Sequence, residues 1–143
     1  MLKVVTILLA VTGLLAAEEV KGRHCNLESL KGTYGTILSG TKPTGPPPAP
    51  LEQFVGVALT TFDGQGQSTG VDNINAAISG VITDRAGTGT YTINPDCSGT
   101  AVLFNPGAPP LQMRFVVVDD GKEFRGIIVS PASVTVTFNA KKI

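Results

Sequence analysis

The sequence contains few reactive or charged side chains. Of its 143 residues, 15% are charged, none is tryptophan and one is histidine. A Ser-His-Asp or Cys-His site needs an oriented histidine beside its nucleophile. His24 precedes the first predicted strand, and a mobile N-terminal segment is a poor platform for catalysis. We therefore predict no catalytic residues.

Motifs for metals and cofactors are also missing. Structural zinc uses four ligands, and the chain has two cysteines and one histidine. Residues 63–66 (DGQG) lack the alternating carboxylates of a calcium loop and are typical of a tight turn. Residues 87–89 (GTG) open a predicted strand rather than a helix, so they do not match a phosphate-binding loop. No metal site and no cofactor is predicted.

The charges do not favour a polyanionic partner. The chain has 11 basic and 11 acidic residues, and the basic ones are scattered along it. Proteins that bind nucleic acid usually carry a basic excess or a basic stripe. Nucleic acid is therefore not expected as a partner.

The first 17 residues have the order of parts found in a cleavable signal peptide. Lys3 is followed by an apolar run, residues 4–17, that ends in Ala16-Ala17. This run is shorter than the ~20 residues of a membrane-spanning helix. We predict a secreted or periplasmic protein that has no membrane association after cleavage; an uncleaved anchor is the alternative.

Cys25 and Cys97 are the only cysteines. An even cysteine count in an exported chain favours pairing. In the loop-entropy model a bridge across so long a loop stabilises the fold by roughly 4 kcal/mol. The sequence predicts that this disulfide ties the N-terminal segment to a late turn.

Downstream of residue 32 the chain alternates short β-branched runs with turns rich in Gly, Asn, Asp and Pro. Most connections have hairpin length, whereas parallel strands need longer crossovers. We predict an all-β, antiparallel up-and-down meander of about 8–9 strands closing into a small barrel, with a two-sheet sandwich as the alternative. The domains are an N-terminal segment with a helical turn (18–32) and a barrel (33–143) with a proline-rich loop (42–51). The predicted strands are residues 33–39, 53–62, 68–74, 77–83, 89–94, 99–104, 111–118, 123–130 and 133–140.

Alternation within these runs indicates which faces are buried. In 53–62 both faces are apolar, with Val55, Val57 and Leu59 on one of them. Such a strand is covered outside by a loop or by another subunit. The sequence therefore leaves open a cover by the proline-rich loop and a homo-oligomer through the outer strand faces.

Inward positions supply a candidate ligand pocket. Its residues are Tyr34, Tyr91, Met113, Phe115 and Phe138. The two tyrosines have a second interpretation as ordinary core residues whose hydroxyls need partners.

Three arginines are also candidate ligand contacts. Arg85, Arg114 and Arg125 would suit an anionic ligand if they faced the interior of the barrel. The alternation of its strand places Arg114 on the outside.

Three stretches resemble a group of short exported bacterial proteins of unknown function. They are residues 25–35 (CNLESLKGTYG), 61–66 (TFDGQG) and 89–100 (GTYTINPDCSGT). The resemblance implies an export signal, one disulfide and a small calycin-like barrel akin to that of allene oxide cyclase. It implies no established activity.

The sequence favours a non-catalytic binding module for a small apolar ligand or a partner protein. A cyclase- or isomerase-like enzyme acting through a shaped apolar cavity is one alternative, and a structural cell-envelope protein is another. Eight-stranded barrels are either filled by side chains or leave room for one small ligand. Whether the interior is hollow is therefore the most informative observation, because a packed interior would exclude the cavity-based enzyme.

Overall fold

A computed structural model describes residues 24–143. The predicted signal peptide, residues 1–17, lies outside this range. Eight strands run antiparallel to their neighbours, and the last pairs with the first, so the sheet is a closed up-and-down barrel. This confirms the predicted fold class. The strands are β1 (Gly32–Pro43), β2 (Leu51–Phe62), β3 (Gln67–Ala76), β4 (Gly80–Ile93), β5 (Ser98–Phe104), β6 (Leu111–Val118), β7 (Glu123–Ser130) and β8 (Thr135–Lys142).

The predicted boundary between two strands in the middle of the chain was wrong. Residues 77–83 and 89–94 were separate predicted strands, whereas β4 runs without interruption through Gly80–Ile93. The register shifts opposite Asn73, where β4 accommodates one extra residue. Asp84 has a φ of 52° there, and its backbone N–H donates to Asn73 Oδ1 at 3.0 Å. A bulge of this kind bends a strand without ending it.

One end of the barrel is filled with aromatic rings. Phe62 and Phe124 pack edge-to-face against Tyr34, with ring centroids 5.6 and 5.2 Å away, and Tyr91 packs against Phe62 at 5.1 Å. Tyr34 is fully buried, and its hydroxyl donates to the carbonyl of Gly121. Burial raises the pKa of Tyr34 to about 12. We call this half of the barrel the packed end.

The N-terminal segment closes the packed end. A single 3-10 turn, Leu27–Leu30, carries the fully buried Leu30 into the aromatic cluster. The Tyr91 hydroxyl donates to the Leu27 carbonyl at 3.1 Å. The Cys25–Cys97 disulfide, with a Cα–Cα distance of 5.0 Å, joins this segment to the turn between β4 and β5. The predicted disulfide is thereby confirmed.

The outer face of β2 is apolar and exposed. Val55, Val57 and Leu59 are 58%, 55% and 50% exposed, and Ile37 of β1 lies beside Val57 in the register. The proline-rich loop does not cover these side chains, because it lies at the opposite end from the aromatic cluster, around the mouth of the barrel. The homo-oligomer that the sequence suggests, formed through this outer face, remains a prediction. No helix among residues 24–143 is long and apolar enough to cross a membrane.

Candidate ligand cavity

The half of the barrel opposite the packed end is hollow. It encloses a cavity of about 880 Å³, whose floor includes Phe62, Phe115 and Phe124 of the aromatic cluster. The cavity opens between the loops that join β1 to β2, β5 to β6 and β7 to β8. Sites for small ligands generally measure about 300–1,000 Å³. The interior is therefore filled at one end and large enough for a small molecule at the other.

Inward-facing glycines let neighbouring groups pack closely against β3 and β4. Gly70 of β3 lies directly opposite Gly87 of β4, so neither strand places a side chain there. A Cβ atom added at Gly87 would lie 2.5 Å from Asn105 Oδ1, and one at Gly70 would lie 2.7 Å from the Leu59 carbonyl oxygen. Both distances are too short for a carbon atom. Larger residues at these positions would displace Asn105 or the β2 backbone.

Much of the cavity wall is apolar. Side chains from β6, β7, β8 and β1, together with Val134 of the loop before β8, form a hydrophobic surface around one side of it. Its main members are Leu38, Met113, Phe115, Ile128, Val134, Val136 and Phe138.

A polar patch interrupts this surface on the side formed by β3 and β4. Asp72 and Arg85 lie opposite each other in the register. The guanidinium group donates from Nε to Oδ1 at 2.9 Å and from Nη2 to Oδ2 at 2.7 Å. The side chains are only 22% (Arg85) and 12% (Asp72) exposed, and both line the cavity. The small exposed part of each side chain therefore faces the cavity. The two parallel hydrogen bonds between them hold the guanidinium plane in place.

Smaller polar groups extend this patch along the same wall. Thr60, Ser68 and Asn105 line the cavity beside the ion pair. Asn105 is buried at the end of β5, next to the inward position of Gly87. The polar groups are thus concentrated on this side of the cavity, among apolar neighbours such as Ile74 and Ile82.

The mouth of the cavity is rich in proline. Nine of the ten prolines, all except Pro95, lie at this end of the barrel. Pro43, Pro46, Pro109 and Pro131 contribute directly to the lining. Because proline fixes φ, these loops lose little conformational freedom when a ligand enters. The proline-rich loop predicted from the sequence is accordingly part of the rim.

A buried carboxylate stabilises the rim. Glu52 Oε1 accepts a hydrogen bond from Lys42 Nζ at 2.6 Å. Its Oε2 accepts from the backbone N–H groups of Ile78 and Ser79 at 2.7 and 2.8 Å, and the Ser79 hydroxyl also binds the carboxylate. The hydrogen bond from Lys42, followed by those from Ser79 and Ile78, lowers the pKa of Glu52 to about 2. One side chain therefore links the ends of β1 and β2 to the turn between β3 and β4.

The predicted pocket residues separate into two groups. Met113, Phe115 and Phe138 line the cavity. Tyr34 and Tyr91 lie in the packed end, where their hydroxyls donate to the carbonyls of Gly121 and Leu27. The structure does not bring all five together around one space.

The three arginines also separate. Arg85 faces the interior, whereas Arg114 is exposed on the outside, as its strand's alternation predicted. Arg125 is also exposed and donates to Glu123 at 2.6 Å. Sequence reasoning did not identify Asp72 as the partner of Arg85, because that pairing depends on a register that only the folded sheet defines.

The two charged side chains in the interior of the cavity, Asp72 and Arg85, are paired with each other. Each Asp72 oxygen accepts one hydrogen bond from Arg85 and keeps a second lone pair. Among residues 24–143 no group of three or more His, Cys, Asp and Glu side chains is arranged to hold a metal ion. His24 is exposed, ahead of the first strand.

No protein-family model and no curated protein matches this chain. The function is therefore inferred from the geometry of the cavity.

Proposed function

We propose that the protein is an exported binding protein that holds one small, mainly apolar molecule inside the barrel. The cavity of about 880 Å³, with its apolar wall and single polar patch, is the observation that carries this proposal. Binding sites of this size typically combine a hydrophobic lining with a few placed polar groups. The stiff proline-rich rim suits a site that is formed before the ligand arrives.

Two features support an exported location. Disulfides persist in oxidising compartments, and the Cys25–Cys97 bridge is part of the packed end. The apolar run at residues 4–17 has the pattern of a signal peptide. The resemblance to short exported bacterial proteins with calycin-like barrels agrees with secretion or a periplasmic location.

A cyclase- or isomerase-like enzyme is the second candidate. The ion pair of Asp72 and Arg85 favours it, because the pair faces the cavity and could act on a bound molecule. Each oxygen of Asp72 already accepts one hydrogen bond from Arg85, and the described lining holds no histidine and no second carboxylate to complete an acid–base set. Binding without chemical conversion is therefore the better-supported proposal.

Two neighbouring residues provide a matched test. Ala58 lines the cavity, whereas Val57 is exposed on the outer face of the same strand. We expect Ala58→Phe to fill the cavity and weaken binding of the neutral fluorescent probe N-phenylnaphthylamine by at least about tenfold. Val57→Phe adds a similar ring outside and should leave the affinity unchanged.

Fluorescence titration of the mature, oxidised protein measures both effects. Absence of saturable probe uptake by the wild-type protein would contradict the proposal. Equal binding by wild type and Ala58→Phe would also contradict it, since the probe would then be bound outside the cavity. Circular dichroism of each variant checks that the barrel is retained.

A further inference from the structure

We propose that the ligand is an electrically neutral molecule carrying a hydrogen-bond-accepting oxygen, and that Arg85 binds this oxygen. The inference rests on the proposed function, because it names the class of molecule that the cavity takes. Its basis is the position, hydrogen bonding and charge of the polar patch on β3 and β4.

Arg85 retains donors that can reach a ligand. A guanidinium group has five N–H bonds, and Asp72 accepts from Nε and Nη2. The remaining N–H bonds belong to a side chain that lines the cavity. Asp72 fixes the plane of the group, so these donors are held in one orientation before a ligand binds.

The strand positions beside Arg85 carry small side chains or none. Along the inner faces of β3 and β4, the pair Asp72–Arg85 is followed by Gly70–Gly87 and then by Ser68–Gly89. Three of the four positions after the ion pair are thus glycines, and the fourth is a small hydroxyl residue. Asn105 lies over Gly87, whereas Ser68 and Gly89 line the cavity together with Arg85, so a ligand would reach the guanidinium group from the cavity.

The charge balance of the cavity selects against ionic ligands. The charged residues of the described lining are Lys42, Asp72 and Arg85. Asp72 neutralises Arg85, and Glu52 neutralises Lys42 at the rim. A ligand carboxylate would lose its hydration beside the Asp72 carboxylate, and a ligand ammonium would do so beside Arg85. Burying a charge without a net partner is costly.

A neutral oxygen avoids this cost. A ketone, ester, ether or alcohol oxygen can accept a hydrogen bond from Arg85 without bringing an uncompensated charge into the cavity. Hydrogen bonds from a charged donor are among the stronger ones in proteins. The rest of such a molecule would lie against the apolar side formed by Met113, Ile128, Val136 and Phe138.

Ligands with the same chain length but different head groups distinguish neutral from ionic ligands. The test measures displacement of N-phenylnaphthylamine from the mature, oxidised protein at neutral pH by decanol, decanoate, decylamine and decane. We expect decanol to bind at least about tenfold more tightly than decanoate or decylamine. Tighter or equal binding of decanoate or decylamine would overturn the inference.

A variant that keeps the cavity neutral tests the role of Arg85. Replacing Arg85 alone would leave Asp72 buried without its partner, so the variant is Asp72→Asn with Arg85→Met. We expect it to lower the affinity for decanol relative to decane by about tenfold. Arg114→Met, which removes an exposed arginine on the outside, should leave this ratio unchanged.

The outcomes distinguish the inference from the proposed function. If the wild-type protein takes up neither the probe nor decane, both are wrong. If apolar molecules bind but the ratio of decanol to decane affinity is the same in wild type and double variant, the ion pair has only a structural role and the inference alone is wrong. Should the double variant fail to fold, the ranking of the four ligands on the wild-type protein still decides.

Discussion

Glu52 is the residue on which the rim of the cavity most depends. Its carboxylate accepts hydrogen bonds from Lys42 and from the turn at Ile78 and Ser79. These partners stabilise the ionised form, so the pKa in the folded protein lies below that in the unfolded chain. The resulting stabilisation is fully present above the unfolded pKa and is lost as the carboxylate becomes protonated.

The lowered pKa of Glu52 predicts that the protein becomes less stable over a defined acidic range of pH. The stabilising contribution of Glu52 should decline as pH falls from 4.5, its ordinary pKa, towards 2. We expect Glu52→Gln to lower the melting temperature at neutral pH and to show a smaller further decrease over that range than the wild type. Thermal unfolding followed by circular dichroism at several pH values measures this difference. Parallel pH profiles for the two proteins would contradict the role assigned to Glu52.

Individual residues also mark the limit of what the sequence can predict. The alternation in β6 and β8 correctly places Met113, Phe115 and Phe138 inside the barrel. Asp72 and Arg85 are 13 positions apart, and their contact requires the bulge at Asn73 and Asp84. Because no local pattern encodes that register, the polar patch could not be predicted from the sequence.

Among the elements, the N-terminal segment depends on its covalent link. It contributes one 3-10 turn and Leu30 to the packed end, and the disulfide to Cys97 spans 72 positions. A constraint on so long a loop removes much conformational freedom from the unfolded chain.

The disulfide therefore provides a prediction at this scale. We expect Cys25→Ser with Cys97→Ser to lower the free energy of unfolding by roughly 4 kcal/mol, as measured by urea denaturation. Leu30 should become less protected from solvent while the cavity still binds the probe, because the bridge lies at the opposite end of the barrel. A loss below about 1 kcal/mol would show that the segment docks without its link.

Strand β4 shows why element boundaries are harder to predict than fold class. Residues 84–89 (DRAGTG) have the composition of a turn. In the barrel Asp84 takes a positive φ within a bulge, and the glycines allow close approach to β3 and β5. Tertiary pairing therefore continues the strand through a segment that local propensity would end.

At the scale of the whole molecule, the barrel divides into a packed end and a hollow end. The aromatic residues and Leu30 fill one end, and the cavity occupies the other. The sequence identifies the antiparallel up-and-down order and the disulfide, and it places the strands, apart from the false break within β4. It does not identify the cavity, because whether inward residues fill the interior depends on how all eight strands are staggered.

The molecule has two apolar surfaces, and an apolar ligand could bind to either. One surface lines the cavity, and the other is the exposed outer face around Ile37, Val55 and Val57. A probe that only senses hydrophobicity would respond to either. The binding measurement must therefore use the signal of a residue that lines the cavity.

Met113 provides that report. The chain has two methionines, Met1 and Met113, and cleavage of the predicted signal peptide leaves Met113 alone on the cavity wall. The most direct test is to follow the NMR resonance of its carbon-13-labelled methyl group while decanol is added to the mature protein. We predict that this resonance shifts and reaches saturation at one ligand per barrel. A resonance that stays unchanged while decanol binds would place the ligand outside the cavity and contradict the proposed function.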